Sequence, residues 1–245
     1  MFTRNIHAAF DYAVECHAGQ LRKGTQIPYI SHLLAVASLV MEAAADGQDQ
    51  VPEDFEDLVV AGLLHDAVED CGGAPRLEDI RRKFGQRVAE IVVHCTDTMP
   101  APGEAKAPWA ERKLAYLAHL AHSDDYRALL VSAADKLHNT RAILTDLRNY
   151  ERDRRPPGAF WLRFVTDQDD AQLATRVPEI LWYYRALAEV TWRKAQEETQ
   201  LAPPGRLARL AGELDVAVQE MLHFAGMAGF GVSIPLRQSE AELPH

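Results

Sequence analysis

Residues 63–70 place four side chains that can bind a metal ion or move protons directly after an apolar run. The four are His65, Asp66, Glu69 and Asp70. Positions four apart share one face of a helix, so we expect His65 near Glu69 and Asp66 near Asp70. Such a group can hold a divalent cation and activate a water molecule. A solvated helix end with one hydrogen-bonded histidine is the alternative interpretation.

A further carboxylate, Asp135, stands within a run of small and apolar residues at 129–137. Burying a carboxylate there costs free energy unless the group is paired or binds a metal. A salt bridge to a lysine or arginine is one solution, and metal coordination is the other. Asn139 follows one helical turn later, and we expect its amide to face the same cavity.

His32 opens an apolar helical stretch, where a histidine is more often a structural or capping residue than a ligand. It nevertheless completes a set of two nitrogen and two oxygen donors from three helices, namely His32, His65, Asp66 and Asp135. This set suits a divalent metal of the zinc, manganese or iron type, with positions left open for water and substrate. Helical bundles build metal sites in this way, from side chains on facing helices.

The segment at 17–24 contains two adjacent cations beside a glycine. Arg22 can clamp a phosphate with two hydrogen bonds, Lys23 adds a point charge, and Gly24 permits close approach of the backbone. The pattern predicts a phosphate-binding turn shortly before His32. A solvated basic turn is the alternative, although the chain as a whole is acidic.

The elements that must position these side chains are predicted to be helices, because apolar residues recur every three or four positions and alternating strand patterns are scarce. We expect an all-α fold with a helical bundle over residues 1–150, a linker at 152–158, a helical C-terminal extension packing on the core over 159–228 and a tail at 229–245. The predicted helices cover residues 3–17, 32–45, 54–65, 77–84, 86–95, 109–122, 124–149, 168–199 and 206–225.

The charge balance limits the partners of this chain. Of its 245 residues, 26 are Lys or Arg and 36 are Asp or Glu, so the formal net charge is −10. Nucleic acids and anionic membranes are bound through basic surfaces, so we expect contact with neither. A small phosphorylated ligand is compatible with this charge, because a few local cations or a metal can bind it.

The cysteines and the apolar stretches predict a cytoplasmic protein. Cys16, Cys71 and Cys95 form no C-x-x-C pair, so we expect no disulfide framework and no all-thiolate zinc site. The start lacks the apolar core of a signal peptide, and no stretch reaches the ~20 apolar residues of a membrane span. Nothing in the pattern indicates an oligomeric state.

Four motifs occur in the order HxGQxRKG, Tyr-x-x-His, HDxxED and ADKLHN within residues 6–147. They resemble the HD-domain hydrolases of the RelA/SpoT alarmone family, and most closely the small alarmone hydrolases that lack a synthetase domain. The resemblance implies a metal-dependent enzyme that removes pyrophosphate from the 3′ position of guanosine tetraphosphate or pentaphosphate, giving GDP or GTP. An adenosine analogue is the related substrate.

The resemblance also implies a role for each residue type of the predicted site. The family's metal is usually manganese, its acidic pair handles the proton of the attacking water, and its basic turn holds the nucleotide and its phosphates. The matching residues are His32, His65, Asp66 and Asp135 for the metal, Glu69 and Asp70 for the proton, and Arg22, Lys23, Gly24 and Asn139 for the substrate.

Two departures from the family pattern occur beside the site. Leu33 follows the first histidine ligand where the family commonly has proline, and Cys71 follows the acidic pair where the family usually has threonine. Two alternative functions stay open. One is an HD-type phosphohydrolase acting on another nucleotide phosphate, and the other is a regulatory protein that senses a nucleotide through a degenerate site.

Overall fold

The computed structural model describes residues 3–47, 50–97, 99, 107–165, 170–201 and 205–230. In these residues the all-α prediction is confirmed, since they contain helices and a single isolated bridge, between Leu21 and Pro28. The α-helices are α1 (Arg4–Cys16), α2 (Ile30–Ala45), α3 (Phe55–Leu64), α4 (Ala67–Asp70), α5 (Gly73–Phe84), α6 (Gln86–Cys95), α7 (Trp109–His122), α8 (Tyr126–Arg152), α9 (Asp170–Leu201) and α10 (Leu207–Met227), and a 3-10 helix covers Pro157–Phe164.

Helices α2, α3 and α8 pack against one another and form the part of the bundle that holds the site. Helix α3 is buried from residue 58 to residue 64. Gly62 lies against α2, where an added Cβ would stand 3.2 Å from the Ala37 Cα. The absence of a side chain at Gly62 lets the two helices approach closely, because packed interiors leave no room for an extra methyl group. This approach brings the start of α2 beside the end of α3.

Most predicted helix boundaries are confirmed to within two residues, and those of α6 and α7 agree at both ends. Helix α5 begins earlier than predicted, at Gly73 instead of Leu77. Pro75 does not interrupt the helix, because a proline in the first helical turn removes only an N–H that has no partner within the helix. The predicted linker at 152–158 is also partly helical, because α8 continues to Arg152 and the 3-10 helix begins at Pro157.

The C-terminal helices pack on the rest of the chain. Helix α10 lies along α8 and α9, and α9 contacts α7. Phe160 and Trp161 are buried between these elements, with their ring centroids 4.9 Å apart. Ion pairs from Arg141 and Arg148 of α8 to glutamates of α10 cover the edge of this contact. The division of the chain into a core and an extension near residues 150–159 stays a prediction.

The predicted tail at 229–245 lies outside the described residues from residue 231 onward. Among the helices that the structure describes, none is long and apolar enough to cross a membrane.

Candidate active site

Four of the predicted residues meet at one point, although they are far apart in the sequence. His65 Nε2 lies 3.0 Å from Asp66 Oδ2, and His32 Nε2 lies 3.2 Å from Asp135 Oδ1. The cross distances are 3.5 Å from His32 to Asp66 and 3.7 Å from His65 to Asp135. Donor atoms of His32, His65 and Asp66 all lie within 4.8 Å of one another.

Three elements deliver these side chains. His32 lies in the first turn of α2, and Asp135 lies near the middle of α8. The helix predicted to include His65 ends at Leu64, so His65 and Asp66 form the turn between α3 and α4. His65 keeps a helical backbone there, with φ −58° and ψ −32°, whereas Asp66 has φ −94° and ψ −7°.

The two imidazoles present unpartnered nitrogens to this point. His32 and His65 are each 1% exposed, and among the described residues neither Nε2 has a hydrogen-bond partner. The Nδ1 of His65 lies 2.8 Å from the Gly62 carbonyl oxygen, which can only accept. His65 therefore carries a hydrogen on Nδ1, and Nε2 is the nitrogen that faces the two carboxylates. Two buried imidazole nitrogens beside two carboxylates are a donor set that fits a divalent metal.

The two carboxylates are held as anions. Burial raises the pKa of Asp135, but Lys136 and the two imidazoles outweigh burial and hold it well below its usual range. Burial likewise opposes ionisation of Asp66, and His65 and His32 keep its pKa low. The alternatives considered for Asp135 prove to be compatible, because Oδ2 pairs with Lys136 while Oδ1 faces His32. Tyr29 donates a 2.6 Å hydrogen bond to Asp66 Oδ2.

Asp70 is attached to the turn that precedes α2. Gln20 Nε2 donates to Asp70 Oδ2 at 2.9 Å, and the amide oxygen of Gln20 lies 2.7 Å from His17 Nδ1. The His17 ring in turn stacks on Tyr29, with centroids 5.1 Å apart. The residues of HxGQxRKG therefore hold one member of the predicted acidic pair.

Glu69 faces a different set of charges. Glu69 lies beside Asp97, and its negative charge favours the protonated form of Lys113. The ammonium group of Lys113 is 2.5 Å from Asp97. Cys71, the departure that follows the acidic pair, donates its thiol to the Cys16 carbonyl oxygen at 3.1 Å. This contact connects the end of α4 to the end of α1.

Arg22 connects the basic turn to α8. Its guanidinium donates to Asn139 Oδ1 at 3.2 Å and to His138 Nδ1 at 3.0 Å. Asn139 Nδ2 donates to Asp135 Oδ1 at 2.5 Å. Asn139 therefore lies on the face of α8 that carries Asp135, as the spacing predicts. Burial, followed by His32 and Arg22, lowers the pKa of His138 to about 4, so its ring is neutral near pH 7.

Lys23 and Gly24 lie next to the C-terminal helices. Gly24 has φ +73°, a left-handed conformation that glycine adopts without strain. Lys23 Nζ lies 5.4 Å above the Phe164 ring. Burial, followed by Arg176 and Arg163, lowers the pKa of Lys23. Two cations from the C-terminal helices therefore surround the predicted phosphate turn.

Several residues of this region were not predicted as site residues. Tyr29, Gln20 and His17 belong to the motifs without a predicted role, and His138, which precedes Asn139, has none either. Lys136 directly follows Asp135 in the sequence, so its position was a signal for the salt bridge that the structure contains. Arg163 and Arg176 left no signal, because nothing in their local sequence relates them to residue 23.

Comparison with known proteins identifies the family of the chain. The sequence pattern of the HD domain family matches residues 9–155, more than half of the chain. The chain belongs to the HD domain family. The resemblance inferred from the four motifs is thereby confirmed.

Curated relatives resemble the chain over different lengths. The guanosine-3′,5′-bis(diphosphate) 3′-pyrophosphohydrolase MESH1 of Drosophila melanogaster is 30% identical over 174 residues, which cover 69% of this chain and 88% of that protein. A GTP pyrophosphokinase of Streptomyces coelicolor is 37% identical over 141 residues. This chain spans 15% of the length of that relative and 26% of a GTP pyrophosphokinase of Myxococcus xanthus.

A solved structure shows the same fold. It is described as a metazoan orthologue of SpoT that hydrolyses ppGpp, and it superposes with a TM-score of 0.60 at 22% sequence identity. The superposition covers 90% of this chain and 97% of the other. The likeness in fold therefore extends beyond residues 9–155 into the C-terminal helices.

Proposed function

We propose that this HD-domain protein is a metal-dependent pyrophosphohydrolase that removes the 3′-pyrophosphate of guanosine tetraphosphate or pentaphosphate, or of the adenosine analogue. The observation that carries the proposal is the convergence of His32, His65, Asp66 and Asp135, with two unpartnered Nε2 atoms. Its support is the Drosophila relative of that name, of which the match covers 88%. Small phosphorylated nucleotides are the partners, and nucleic acids and membranes are not.

The four residues are the proposed ligands of the divalent metal, which we propose to be manganese. Bound there, the metal supplies Lewis acidity towards a phosphate oxygen and lowers the pKa of a coordinated water. Carboxylates and imidazoles together suit such an ion. The protein's own part is to hold both carboxylates ionised and both lone pairs pointing inward.

The acidic pair handles the proton. Glu69 and Asp70 follow the ligand turn directly and are not among the four proposed ligands, so we assign to their carboxylates the proton of the attacking water. Gln20 fixes the orientation of the Asp70 carboxylate through a 2.9 Å hydrogen bond. A positioned acid or base of this kind contributes ~10²–10⁴ in rate.

The basic turn binds the substrate. The Arg22 guanidinium is oriented by His138 and Asn139, and its remaining N–H donors are suited to phosphate oxygens. Lys23 adds a second charge, and Gly24 allows the turn. Phosphoryl transfer needs mainly positioning and neutralisation of charge, which this arrangement supplies.

Release of pyrophosphate tests the proposal. With manganese and ppGpp, the wild-type protein is expected to release pyrophosphate, Asp66→Asn to release none, and Glu69→Gln to be slower by ~10²–10⁴. Asp11→Asn, an exposed change on α1, serves as the matched control and should behave like wild type. Equal turnover by wild type and Glu69→Gln would contradict the role of Glu69.

A panel of phosphorylated nucleotides tests the substrate. Phosphate and pyrophosphate are measured separately for ppGpp, its adenosine analogue, deoxynucleotides and nucleoside monophosphates. Release of pyrophosphate from ppGpp alone supports the proposal. Release of phosphate from another nucleotide would show that the site acts on a different substrate. A protein that binds nucleotide and gains neither manganese nor thermal stability on its addition is a sensor instead.

A further inference from the structure

His138 stands between the proposed metal centre and the proposed phosphate clamp. Its Nδ1 lies 2.7 Å from Nδ1 of His32 and 3.0 Å from Nη1 of Arg22. The ring centroids of His138 and His32 are 4.9 Å apart. One ring nitrogen therefore contacts both a proposed ligand and the residue proposed to hold phosphate.

The chemistry of arginine determines where the hydrogens lie. A guanidinium group has donors and no acceptor, so Arg22 must donate to His138 Nδ1. His138 Nδ1 therefore carries no hydrogen and accepts through its lone pair. The hydrogen between the two histidines then belongs to His32 Nδ1. In the neutral ring, the lone pair of His32 is consequently on Nε2, the atom that faces Asp66 and Asp135.

The two proposed histidine ligands differ in what fixes them. His65 donates to a backbone carbonyl, that of Gly62, which no substitution removes. His32 depends on the side chain of His138. Partners of this kind orient metal ligands, and their loss typically lowers metal affinity by roughly 10–100-fold. We expect a loss on the order of this range when the His138 ring is removed.

We propose that His138 is a positioning residue that holds His32 in its metal-binding tautomer and Arg22 in its phosphate-facing orientation. The part concerning Arg22 rests on the proposed function, and the part concerning His32 does not. Through this one ring, the metal centre and the clamp depend on each other.

The tautomers can be observed directly in the metal-free protein by long-range ¹H–¹⁵N correlation of labelled histidines. We expect the hydrogen of His32 on Nδ1 and that of His138 on Nε2, with the signals assigned from the His138→Gln spectrum. A His32 ring that carries its hydrogen on Nε2 would overturn the proposal. A purely structural role of His138 predicts no particular tautomer.

Two substitutions separate the accepting nitrogen from the bulk of the ring. His138→Phe removes the acceptor, and His138→Gln supplies a carbonyl oxygen that can accept from both neighbours. By calorimetric titration with manganese alone, we expect His138→Phe to bind ~10–100-fold more weakly than wild type and His138→Gln to recover most of the loss. Of the kinetic constants for ppGpp, the KM should rise in His138→Phe.

His122 provides the matched control, because it is exposed on α7 and, among the described residues, its recorded hydrogen bond is to the carbonyl of Ala118 in its own helix. His122→Phe and His122→Gln should bind manganese as wild type does. Circular dichroism establishes that each variant is folded. Unchanged affinity in His138→Phe, or equal loss in folded Phe and Gln variants, overturns the proposal.

The outcomes distinguish this inference from the proposed function. If the wild-type protein binds manganese and shows the expected tautomers but releases no pyrophosphate from ppGpp, the function fails and the role of His138 towards His32 stands. If the wild-type protein is active and His138→Phe retains its manganese affinity and KM, the inference fails by itself.

Discussion

Each proposed ligand has its own outer partner at the scale of single residues. Asp66 accepts from the Tyr29 hydroxyl, Asp135 from Asn139 and Lys136, and His65 donates to a backbone carbonyl. The Tyr29 hydroxyl is confined to this role, since burial and then Asp66 raise its pKa far above the ordinary value. Its hydrogen therefore stays on the oxygen and orients the carboxylate.

Tyr29→Phe tests this orientation, because it removes one hydroxyl and keeps the ring that stacks on His17. We expect manganese affinity to fall by ~10-fold, the usual effect of losing an outer partner. Calorimetric titration with the metal measures it. Tyr150→Phe is the control, because its ring packs on Phe160 and has no recorded contact with the four proposed ligands among the described residues. If both variants bind manganese equally well, the hydroxyl has no part in holding Asp66.

The convergence of the four proposed ligands could be anticipated from the sequence because each is a polar residue at the edge of, or inside, an apolar helical run. For these four residues, the residue type and the neighbouring apolar run were sufficient for the prediction. The contacts of Tyr29 and His138 could not be anticipated, because their partners are 37 and 106 residues away. Only the packing of α2 against α3 and α8 creates those distances.

At the scale of elements, one buried ion-pair cluster connects the end of α6 to the start of α7. Asp97 is 4% exposed and contacts Arg112 and Lys113 at 2.7 and 2.5 Å. Burial raises the pKa of Asp97, but Lys113 and Arg112 outweigh it and hold the pKa below its usual range. The helical period predicted both helices, whereas this connection between them left no pattern in the sequence.

Asp97→Asn should lower the free energy of unfolding by about 3 kcal/mol at pH 7, because two cations lose their buried partner. A lowered pKa means that the ionised group stabilises the fold above the ordinary carboxyl pKa of ~3.9, and that this contribution is lost as pH falls further. The difference from wild type should therefore be equal at pH 7 and pH 5 and shrink below about pH 4.

Urea unfolding followed by circular dichroism at several pH values measures this difference. Asp11→Asn, which changes an exposed carboxylate, should differ little from wild type throughout. A difference for Asp97→Asn that grows as the pH falls from 5 to 3.5 would have the wrong sign and would exclude the ion pair as its cause.

At the scale of the whole molecule, the C-terminal helices bring cations close to the proposed phosphate turn. The sequence predicted that they pack on the core and indicated no role for them. In the structure, Arg163 of the 3-10 helix and Arg176 of α9 lie close enough to Lys23 to lower its pKa, after burial. Arg176 is itself supported by the Trp109 ring, 4.0 Å from its guanidinium carbon. Three cations from distant segments thus gather at the proposed phosphate turn.

Arg176→Gln should therefore raise the KM for ppGpp by roughly 10-fold or more, since a hydrogen bond to a charged group contributes ~1.5–3 kcal/mol. Manganese affinity should be unchanged, because Arg176 contacts none of the four proposed ligands through any bond that the structure records among the described residues. Arg148→Gln is the control, as Arg148 pairs with Glu220 on α10. Steady-state kinetics at two salt concentrations measure the effect, which should diminish as salt screens the lost charge. If Arg176→Gln and Arg148→Gln have the same KM for ppGpp, the C-terminal helices support the fold without contacting the substrate.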